Sequence, residues 1–276
     1  MKQIIKDLEF ALTLKRPHRG KGEKALLKYI KKTCGFKSEF DGAGNLHIDN
    51  TRDDSKTLFV AHVDTVHRED GVNIINKATG KYYAGINAPL GADDGAGVAL
   101  LLHLLRNNVG GYYIFTVGEE VGGVGARYIA GDPYFLEYFD RAIAFDRRGT
   151  SDVITHQGFG RCCSNEFADA LSDALNNQGM LYMPSDGGVY TDTAEFVDLI
   201  PECTNISVGY LNEHRNTETL DLRHYFDLAN AIIKINWENL PTKRALMLED
   251  ETDTLPAWAL DDISDWGARC HRILAI

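Results

Sequence analysis

The sequence predicts an α/β protein with a doubly wound, mostly parallel sheet and helices on both faces. Two observations predict this fold class. Continuous apolar runs such as TLFVA (57–61) and YYIFTV (112–117) are typical of strands that are buried on both faces. Stretches with apolar residues at helical spacing separate these runs, and such alternation of strands and helices is the pattern of parallel sheets.

The predicted elements follow one another along the whole chain. Two amphipathic helices come first, one closed by Arg16-Pro17 and the other by Gly35. Two short strands around a glycine-rich turn follow in SEFDGAGNLHID (38–49). The later strands are predicted at 57–64, 112–117, 142–145, 152–156 and 205–210, and the later helices at 95–105, 167–175 and 222–235.

Length and composition set broad limits. The 276 residues predict a single domain, residues 1–240, followed by an acidic and aromatic C-terminal extension, residues 241–276, that packs on the domain or meets a partner. The formal net charge of −11 argues against a nucleic-acid partner. No apolar run approaches the roughly 20 residues that span a membrane, so no membrane partner is expected. The five cysteines lack the spacing of a disulfide framework, which favours a reduced, cytoplasmic protein.

Residue types that bind metal ions follow the predicted buried strands, where ligands bind in doubly wound sheets. In chain order they are His62, Asp64, Asp93, Asp94, Glu119, Glu120, Asp146 and His214. Each alone has an ordinary structural explanation, and a second H-x-D, His47-Ile48-Asp49, lies in a predicted hairpin that looks purely structural. Their collection at one edge of one sheet is what favours a metal site.

These residue types suit a pair of divalent cations. Zinc binds neutral imidazole and carboxylate oxygen, one carboxylate can bridge two ions, and manganese or cobalt would accept the same ligands. Residues i and i+2 of an extended strand point the same way, so Asp64 can orient the ring of His62. Of the adjacent Glu119 and Glu120, one can bind metal while the other stays free as a base. Two metals about 3.5–4 Å apart activate a water molecule and polarise a carbonyl group.

Five motifs resemble those of the co-catalytic di-zinc exopeptidases, the clan of aminopeptidases, tripeptidases and related carboxypeptidases. They are FVAHVDTV, LGADDGAG, TVGEEVGGVGA, AFDRRG and NEHRNTE, in this order between residues 59 and 218. The resemblance implies two zinc ions with five protein ligands: Asp93 on both ions, His62 and Asp146 on one, and Glu120 and His214 on the other. It also implies that Glu119 is the general base, that Asp64 orients His62, and that the Asp93–Asp94 peptide bond is cis.

One departure from the resemblance concerns the lid. Relatives with the closest motif wording insert a lid domain after the third metal-binding motif, whereas only 68 positions (214 − 146) separate Asp146 from His214. We therefore expect a zinc aminopeptidase-like fold with no inserted lid domain. Tyr190, in DGGVYTDTAEF, is a candidate to stabilise the oxyanion in place of a lid histidine, and a packed tyrosine is the equal alternative. Arg147 and Arg148 are candidates for a substrate carboxylate, although surface arginines are commoner.

The function that the resemblance implies is a metal-dependent exopeptidase, an aminopeptidase on short peptides. An N-acyl amino acid amidohydrolase would use the same dinuclear site on a different substrate. A glutaminyl-cyclase-like acyltransferase would use the same fold with a single zinc. A catalytically dead metal-binding module is the remaining interpretation, and the retention of Glu119 counts against it. The sequence leaves the oligomeric state open and is compatible with a homo-oligomer.

Overall fold

The structure is a computed structural model that describes residues 2–52, 55–84, 87–158 and 160–246. The helices are α1 (Lys2–Leu12), α2 (Lys21–Thr33), α3 (Ala92–Arg106), α4 (Val124–Ala130), α5 (Pro133–Leu136), α6 (Asn165–Asn176) and α7 (Leu222–Ile232), with 3-10 turns at Asp192–Phe196 and Trp237–Asn239. The first strands are β1 (Leu14–Lys15), β2 (Ser38–Phe40), β3 (Leu46–Asn50), β4 (Thr57–His62), β5 (Gly71–Val72), β6 (Ile75–Ala78), β7 (Lys81–Ala84) and β8 (Gly111–Thr116). The later strands are β9 (Arg141–Arg147), β10 (Asp152–Ile154), β11 (His156–Gln157), β12 (Gly160–Arg161), β13 (Met183–Ser185), β14 (Glu202–Ser207), β15 (Tyr210–Leu211) and β16 (Thr219–Asp221).

The central sheet has eight strands in the order β13-β10-β14-β9-β4-β8-β3-β2. Its four middle strands, β14, β9, β4 and β8, run parallel to one another. β3 and β2 extend one side antiparallel, and β10 pairs antiparallel with β14 on the other side. The predicted doubly wound, mostly parallel sheet is therefore confirmed.

Helices cover both faces of this sheet, and β4 shows why. Successive side chains of a strand point to opposite faces. Phe59 and Ala61 accordingly pack into one apolar core with residues of α1, α3 and α7, while Leu58 and Val60 pack into a second core with residues of α4 and α5. Every residue of β4 is buried. Burial on both faces explains the continuous apolar run that identified this strand in the sequence.

Several predicted boundaries differ from the structure. The predicted strand 152–156 ends at Ile154, because the chain then enters the short antiparallel β11–β12 pair. The predicted strand 205–210 is β14, which ends at Ser207; Gly209, at φ 103°, separates it from β15 in another sheet. Helix α3 is assigned from Ala92, but its first turn has non-helical dihedrals at residues 93 and 94.

A second, four-stranded antiparallel sheet, in the order β15-β16-β7-β6, was not predicted from the sequence. Its strands are two to four residues long and carry no clear period-two pattern, so sequence periodicity could not identify them. This sheet fixes the loop between β15 and β16, which carries His214.

The interval between Asp146 and His214 holds strands β10 to β15, helix α6 and a 3-10 turn, and its described residues form no separate domain. The absence of an inserted lid follows from this arrangement. Of the predicted C-terminal extension, residues 247–276 lie outside the described residues. In the described part of the chain, no helix is long and apolar enough to cross a membrane.

Candidate active site

The carboxyl ends of the parallel strands bring the predicted metal-binding residue types together. His62 is the last residue of β4, Glu119 and Glu120 follow β8, and Asp146 lies near the end of β9. Asp93 comes from the start of α3. Because parallel strands end at one edge of the sheet, side chains from distant parts of the sequence converge there.

Two groups of possible ligands share Asp93. In the first, His62 Nε2 lies 3.0 Å from Asp93 Oδ1 and 3.7 Å from Asp146 Oδ1. In the second, His214 Nε2 lies 2.9 Å from Asp93 Oδ2 and 3.1 Å from Glu120 Oε2. Asp93 thus presents one carboxylate oxygen to each group, which is the geometry that a bridging ligand requires. In each group the possible ligand atoms lie within 4.8 Å of one another.

The arrangement of Asp93 depends on its surroundings in the chain. The Asp93–Asp94 peptide bond is cis, as the motif resemblance implied. Asp94 is fully buried, and one of its oxygens accepts a hydrogen bond from the Gly97 amide at 2.9 Å. A Cβ atom at Gly97 would lie 2.4 Å from Asp94 Oδ1 and 2.7 Å from the Phe145 carbonyl oxygen. The last glycine of LGADDGAG is therefore required by the close approach of α3 to β9.

Asp64 connects the end of β4 to the glutamate segment. One of its oxygens accepts hydrogen bonds from the amides of Gly118 and Glu119 at 2.8 and 3.1 Å, and the other accepts one from the Glu120 amide at 3.2 Å. The same carboxylate faces His62 Nδ1 at 3.5 Å, which is longer than an ordinary hydrogen bond. Asp64 is thus placed to fix both the ring of His62 and the backbone that carries the two glutamates.

Glu119 lies within the same cluster, close enough to share a metal-sized site with His62 and Glu120. Burial, together with the neighbouring Asp146, Asp192 and Asp93, raises the pKa of Glu119 to about 9, although His62 opposes this shift. Carboxylates crowded in a desolvated place resist ionisation together, and positive charge relieves that cost.

The crowded carboxylates also raise the pKa of the two histidines. Hydrogen bonds to Asp93 and Glu120 raise the pKa of His214 to about 11. Burial opposes protonation of His62, but the carboxylates of Asp146, Asp64 and Asp93 outweigh it and raise its pKa. The surrounding carboxylates therefore favour the protonated form of both imidazoles. Metal ions can replace these protons because a ligating histidine is neutral.

The side chains fit divalent cations by a further criterion. Buried polar atoms almost always have hydrogen-bond partners, so exceptions need an explanation. Among the described residues, Glu120 Oε1 is a buried atom of the cluster without a hydrogen-bond partner. The imidazole and carboxylate donors are those that zinc, manganese or cobalt binds.

Several supporting residues were not identified in the sequence. Glu218 is buried and accepts hydrogen bonds from the backbone amides of Gly91, Ala92 and Asp93, which holds the segment leading into Asp93. Glu218 lies in the quoted motif NEHRNTE, two residues after Asn216, so position within a motif was the available signal.

Arg16 is the least expected supporting residue, because its side chain is fully buried. Its guanidinium donates to the carbonyl oxygens of Val63 at 2.8 Å and Gly91 at 2.9 Å, next to His62 and close to Asp93. Burial lowers the pKa of Arg16 to about 10, against the opposing effect of Asp94 and Glu218. Arg16 thus ties the backbones of two ligand-bearing segments together.

Asp146 is held by two hydroxyl groups that the sequence did not single out. Thr191 Oγ1 donates to Asp146 Oδ2 at 2.7 Å, and the Tyr210 hydroxyl donates to Asp146 Oδ1 at 3.0 Å. Burial, with Asp93 nearby, raises the pKa of Asp146 to about 6 despite opposing interactions with His62. Both hydroxyl donors orient the carboxylate towards His62.

The cluster forms one end of a cavity of about 540 Å³, a size suited to a small ligand. Tyr190, the oxyanion candidate, lines this cavity, and its hydroxyl donates to Glu195 Oε1 at 2.8 Å. Arg147 and Arg148 line it as well, together with Ile154. The second H-x-D motif, His47-Ile48-Asp49, does not contribute to this cavity. His47, on β3, instead pairs with Asp41 at 3.2 Å.

Solved structures of several peptidases resemble this chain. Aminopeptidase PepT from Bacillus cereus matches with 15% sequence identity over 84% of this chain and 96% of its own, at a TM-score of 0.72. A tripeptidase from Staphylococcus aureus matches with 15% identity over 84% and 96%, at a TM-score of 0.69. The TET1 peptidase from Pyrococcus horikoshii matches with 18% identity over 83% and 98%, at a TM-score of 0.67. The fold is that of these peptidases.

No protein-family model and no curated protein sequence matches the chain. The structural matches confirm the zinc aminopeptidase-like fold that the motif resemblance implied. At identities below 20%, they carry the fold and leave the chemistry to the residues of the site.

Proposed function

We propose that this protein is a metal-dependent exopeptidase, an aminopeptidase that removes residues from short peptides. The observation that carries the proposal is the position of Asp93, whose two oxygens face separate histidine-carboxylate groups. His62 and Asp146 would complete one cation site, and Glu120 and His214 the other. Zinc is the proposed metal, with manganese or cobalt as acceptable replacements. When bound, the cations would polarise the scissile carbonyl and favour ionisation of the attacking water.

The chain's own residues supply the proton transfer. Glu119 is proposed to take a proton from the attacking water and deliver it to the leaving amine. Burial raises its pKa to about 9, and positive charge nearby would bring that pKa down towards the operating pH. Asp64 would keep Glu119 in place through the backbone hydrogen bond at 3.1 Å. Tyr190 is a proposed oxyanion donor. Its hydroxyl donates to Glu195 in the structure and would have to turn from Glu195 towards the substrate to take this role.

The size of the cavity supports an exopeptidase rather than an enzyme that cuts within long chains. A volume of about 540 Å³ accommodates a ligand of a few residues. The matched structures include an aminopeptidase and a tripeptidase, which supports short peptide substrates.

The test is a peptide panel combined with metal analysis of the same sample. Protein loaded with zinc, manganese or cobalt is assayed on dipeptides and tripeptides with free amines and on N-acetylated amino acids. We expect cleavage of the free-amine peptides, loss of activity with a chelator and recovery on adding metal. Cleavage of the N-acetylated compounds alone would instead identify an amidohydrolase. A firm limit of one ion per chain, with cyclisation in place of hydrolysis, would identify a cyclase-like enzyme.

Two further properties are proposed, the oligomeric state and the cellular setting. The matched TET1 peptidase assembles into a tetrahedron or a large octahedral shell, which supports a homo-oligomer here, and light scattering would measure the mass. A cytoplasmic setting is supported by the cysteines, since the four that are described, Cys34, Cys162, Cys163 and Cys203, are free thiols buried in the protein.

A further inference from the structure

Three arginines line the cavity beside the proposed cation sites, and they differ in burial. The side chains of Arg127 and Arg148 are 64% and 58% exposed, as is common for surface arginines. The side chain of Arg147 is only 16% exposed. A guanidinium that is mostly removed from water needs partners for its charge and its N–H groups. Arg147 is therefore the arginine whose position requires an explanation.

The contacts of Arg147 leave most of its hydrogen-bonding capacity free. Its Nε donates to Asp152 Oδ2 at 3.1 Å, and the other oxygen of Asp152 accepts from the Ser151 hydroxyl at 3.3 Å. Within the described residues, neither terminal amino group of Arg147 has a hydrogen-bonding partner. Asp152 is itself fixed at the start of β10, where its amide donates to Ser207 Oγ at 3.1 Å. The guanidinium is thus oriented by one edge while its terminal amino groups remain available.

The position of Arg147 relates it to the reaction. It lines the same cavity as Asp146 and His214, so a group bound by Arg147 would share that cavity with the proposed cation sites. The lining of this cavity also includes the apolar side chains of Ile154 and Val189. Gly188 lets this lining close up, because a Cβ there would lie 2.2 Å from the His156 carbonyl oxygen.

We propose that Arg147 binds a carboxylate of the substrate and makes the enzyme prefer peptides that carry one near the scissile bond. The planar fork of a guanidinium matches the two oxygens of a carboxylate, which a single ammonium group does not. The carboxylate has two sources: an acidic side chain at the N-terminal residue, or the free C-terminus of a dipeptide. This inference rests on the proposed peptidase function.

The experiment measures binding rather than turnover. Zinc-loaded protein carrying Glu119→Gln, which is expected not to cleave its ligands, is titrated calorimetrically with two matched pairs. Glu-Ala-amide against Gln-Ala-amide tests the side-chain carboxylate, and Ala-Ala against Ala-Ala-amide tests the C-terminal one. We expect the carboxylate member of at least one pair to bind about tenfold more tightly. The pair that shows the difference identifies the source.

Variants assign the preference to the residue. Arg147→Met keeps an unbranched side chain of similar length and should abolish the difference, while Arg147→Lys keeps the charge without the fork and should retain only part of it. The difference should persist in Arg148→Met. No difference in either pair would overturn the proposal. It would also be overturned by a difference that survives in Arg147→Met, as for a carboxylate that binds the cations, or by one that disappears in Arg148→Met.

The same measurements separate this inference from the proposed function. If zinc-loaded wild-type protein hydrolyses no peptide but the binding preference depends on Arg147, the peptidase proposal fails and the carboxylate site stands. If peptides are hydrolysed without any carboxylate preference, the reverse holds.

Discussion

The two histidines of the site lie in very different surroundings. His62 is 1% exposed, ends a strand in the middle of the sheet, and faces three carboxylates. The side chain of His214 is 50% exposed and comes from a loop, where its φ of 64° lies in the left-handed region. The first group is therefore built into the core of the fold, whereas the second depends on a loop supported by short strands. In the proposed two-cation site, folding therefore prepares the half that contains His62, whereas the half that contains His214 is completed at the surface.

The largest effect is expected at Glu119, the proposed base. Glu119→Gln keeps the shape of the side chain but removes the base, so kcat should fall by about 10²–10⁴-fold or more while metal content is unchanged. Glu120→Ala is the matched comparison, because Glu120 is the proposed ligand, and here metal content should fall together with activity. Kinetics and elemental analysis on the same samples measure both. Full turnover in Glu119→Gln, or loss of metal there and not in Glu120→Ala, would show that the two roles are reversed.

The contrast between the histidines predicts unequal effects on stability. In metal-free protein, His62→Ala removes a fully buried partner from a carboxylate cluster and should lower the free energy of unfolding by about 3–5 kcal/mol. His214→Ala removes a half-exposed partner, and the loss should be about 1 kcal/mol or less. Urea denaturation in the presence of a chelator gives both values. Equal losses, or a larger loss for His214→Ala, would contradict the distinction between the buried group of His62 and the half-exposed group of His214.

These two groups also differ in how far the sequence could predict them. His62 and Asp64 follow a continuous apolar run, and this run alone places them at the end of a strand that is buried on both faces. His214 was singled out because it comes just after the predicted strand 205–210, and the motif NEHRNTE supported it. In the structure that strand ends at Ser207, and the two-residue strand β15 precedes the loop of His214. Local patterns could not predict the role of Arg16. A charged residue at the end of a predicted helix gives no sign that it will follow a short strand and be buried among carbonyl groups.

The elements of the fold also differ in how far local sequence patterns could predict them. The strands buried on both faces were predicted, because burial imposes an apolar run that a reader can see. The antiparallel sheet of β6, β7, β15 and β16 was missed, since its strands are short and its central pairing, β16 with β7, joins segments more than 100 residues apart. Contacts between distant segments also create the hydroxyl pair on Asp146, where Thr191 and Tyr210 meet one carboxylate.

A smaller effect is the pH dependence of stability that arises from the buried His67. His67 is 6% exposed; its Nε2 lies 3.1 Å from the Pro89 carbonyl oxygen and its Nδ1 2.6 Å from Thr65 Oγ1. Burial, followed by the charge of Arg16, lowers the pKa of His67 from 6.5 to about 4. The unfolded chain therefore binds this proton more readily than the folded protein between these values, so stability should fall as the pH drops from 6.5 to 4.

The size of that loss is at most about 3 kcal/mol, and His67→Asn should remove this part of the pH dependence. Chemical denaturation at several pH values, with and without the substitution, measures it. His156→Asn, at a partly buried position of strand β11, is the control, because it leaves His67 in place and should keep the fall in stability. A wild-type slope that is identical in His67→Asn would contradict the assignment.

The central claim is that Asp93 is shared by two cation sites, and zinc stoichiometry tests it most directly. Titration of metal-free protein followed by elemental analysis should give two ions per chain for the wild type, about one for Glu120→Ala, and none bound tightly for Asp93→Ala, because that change removes a ligand from both groups at once. A firm limit of one ion in the wild type, or an Asp93→Ala protein that still binds one ion with wild-type affinity, would contradict the shared ligand.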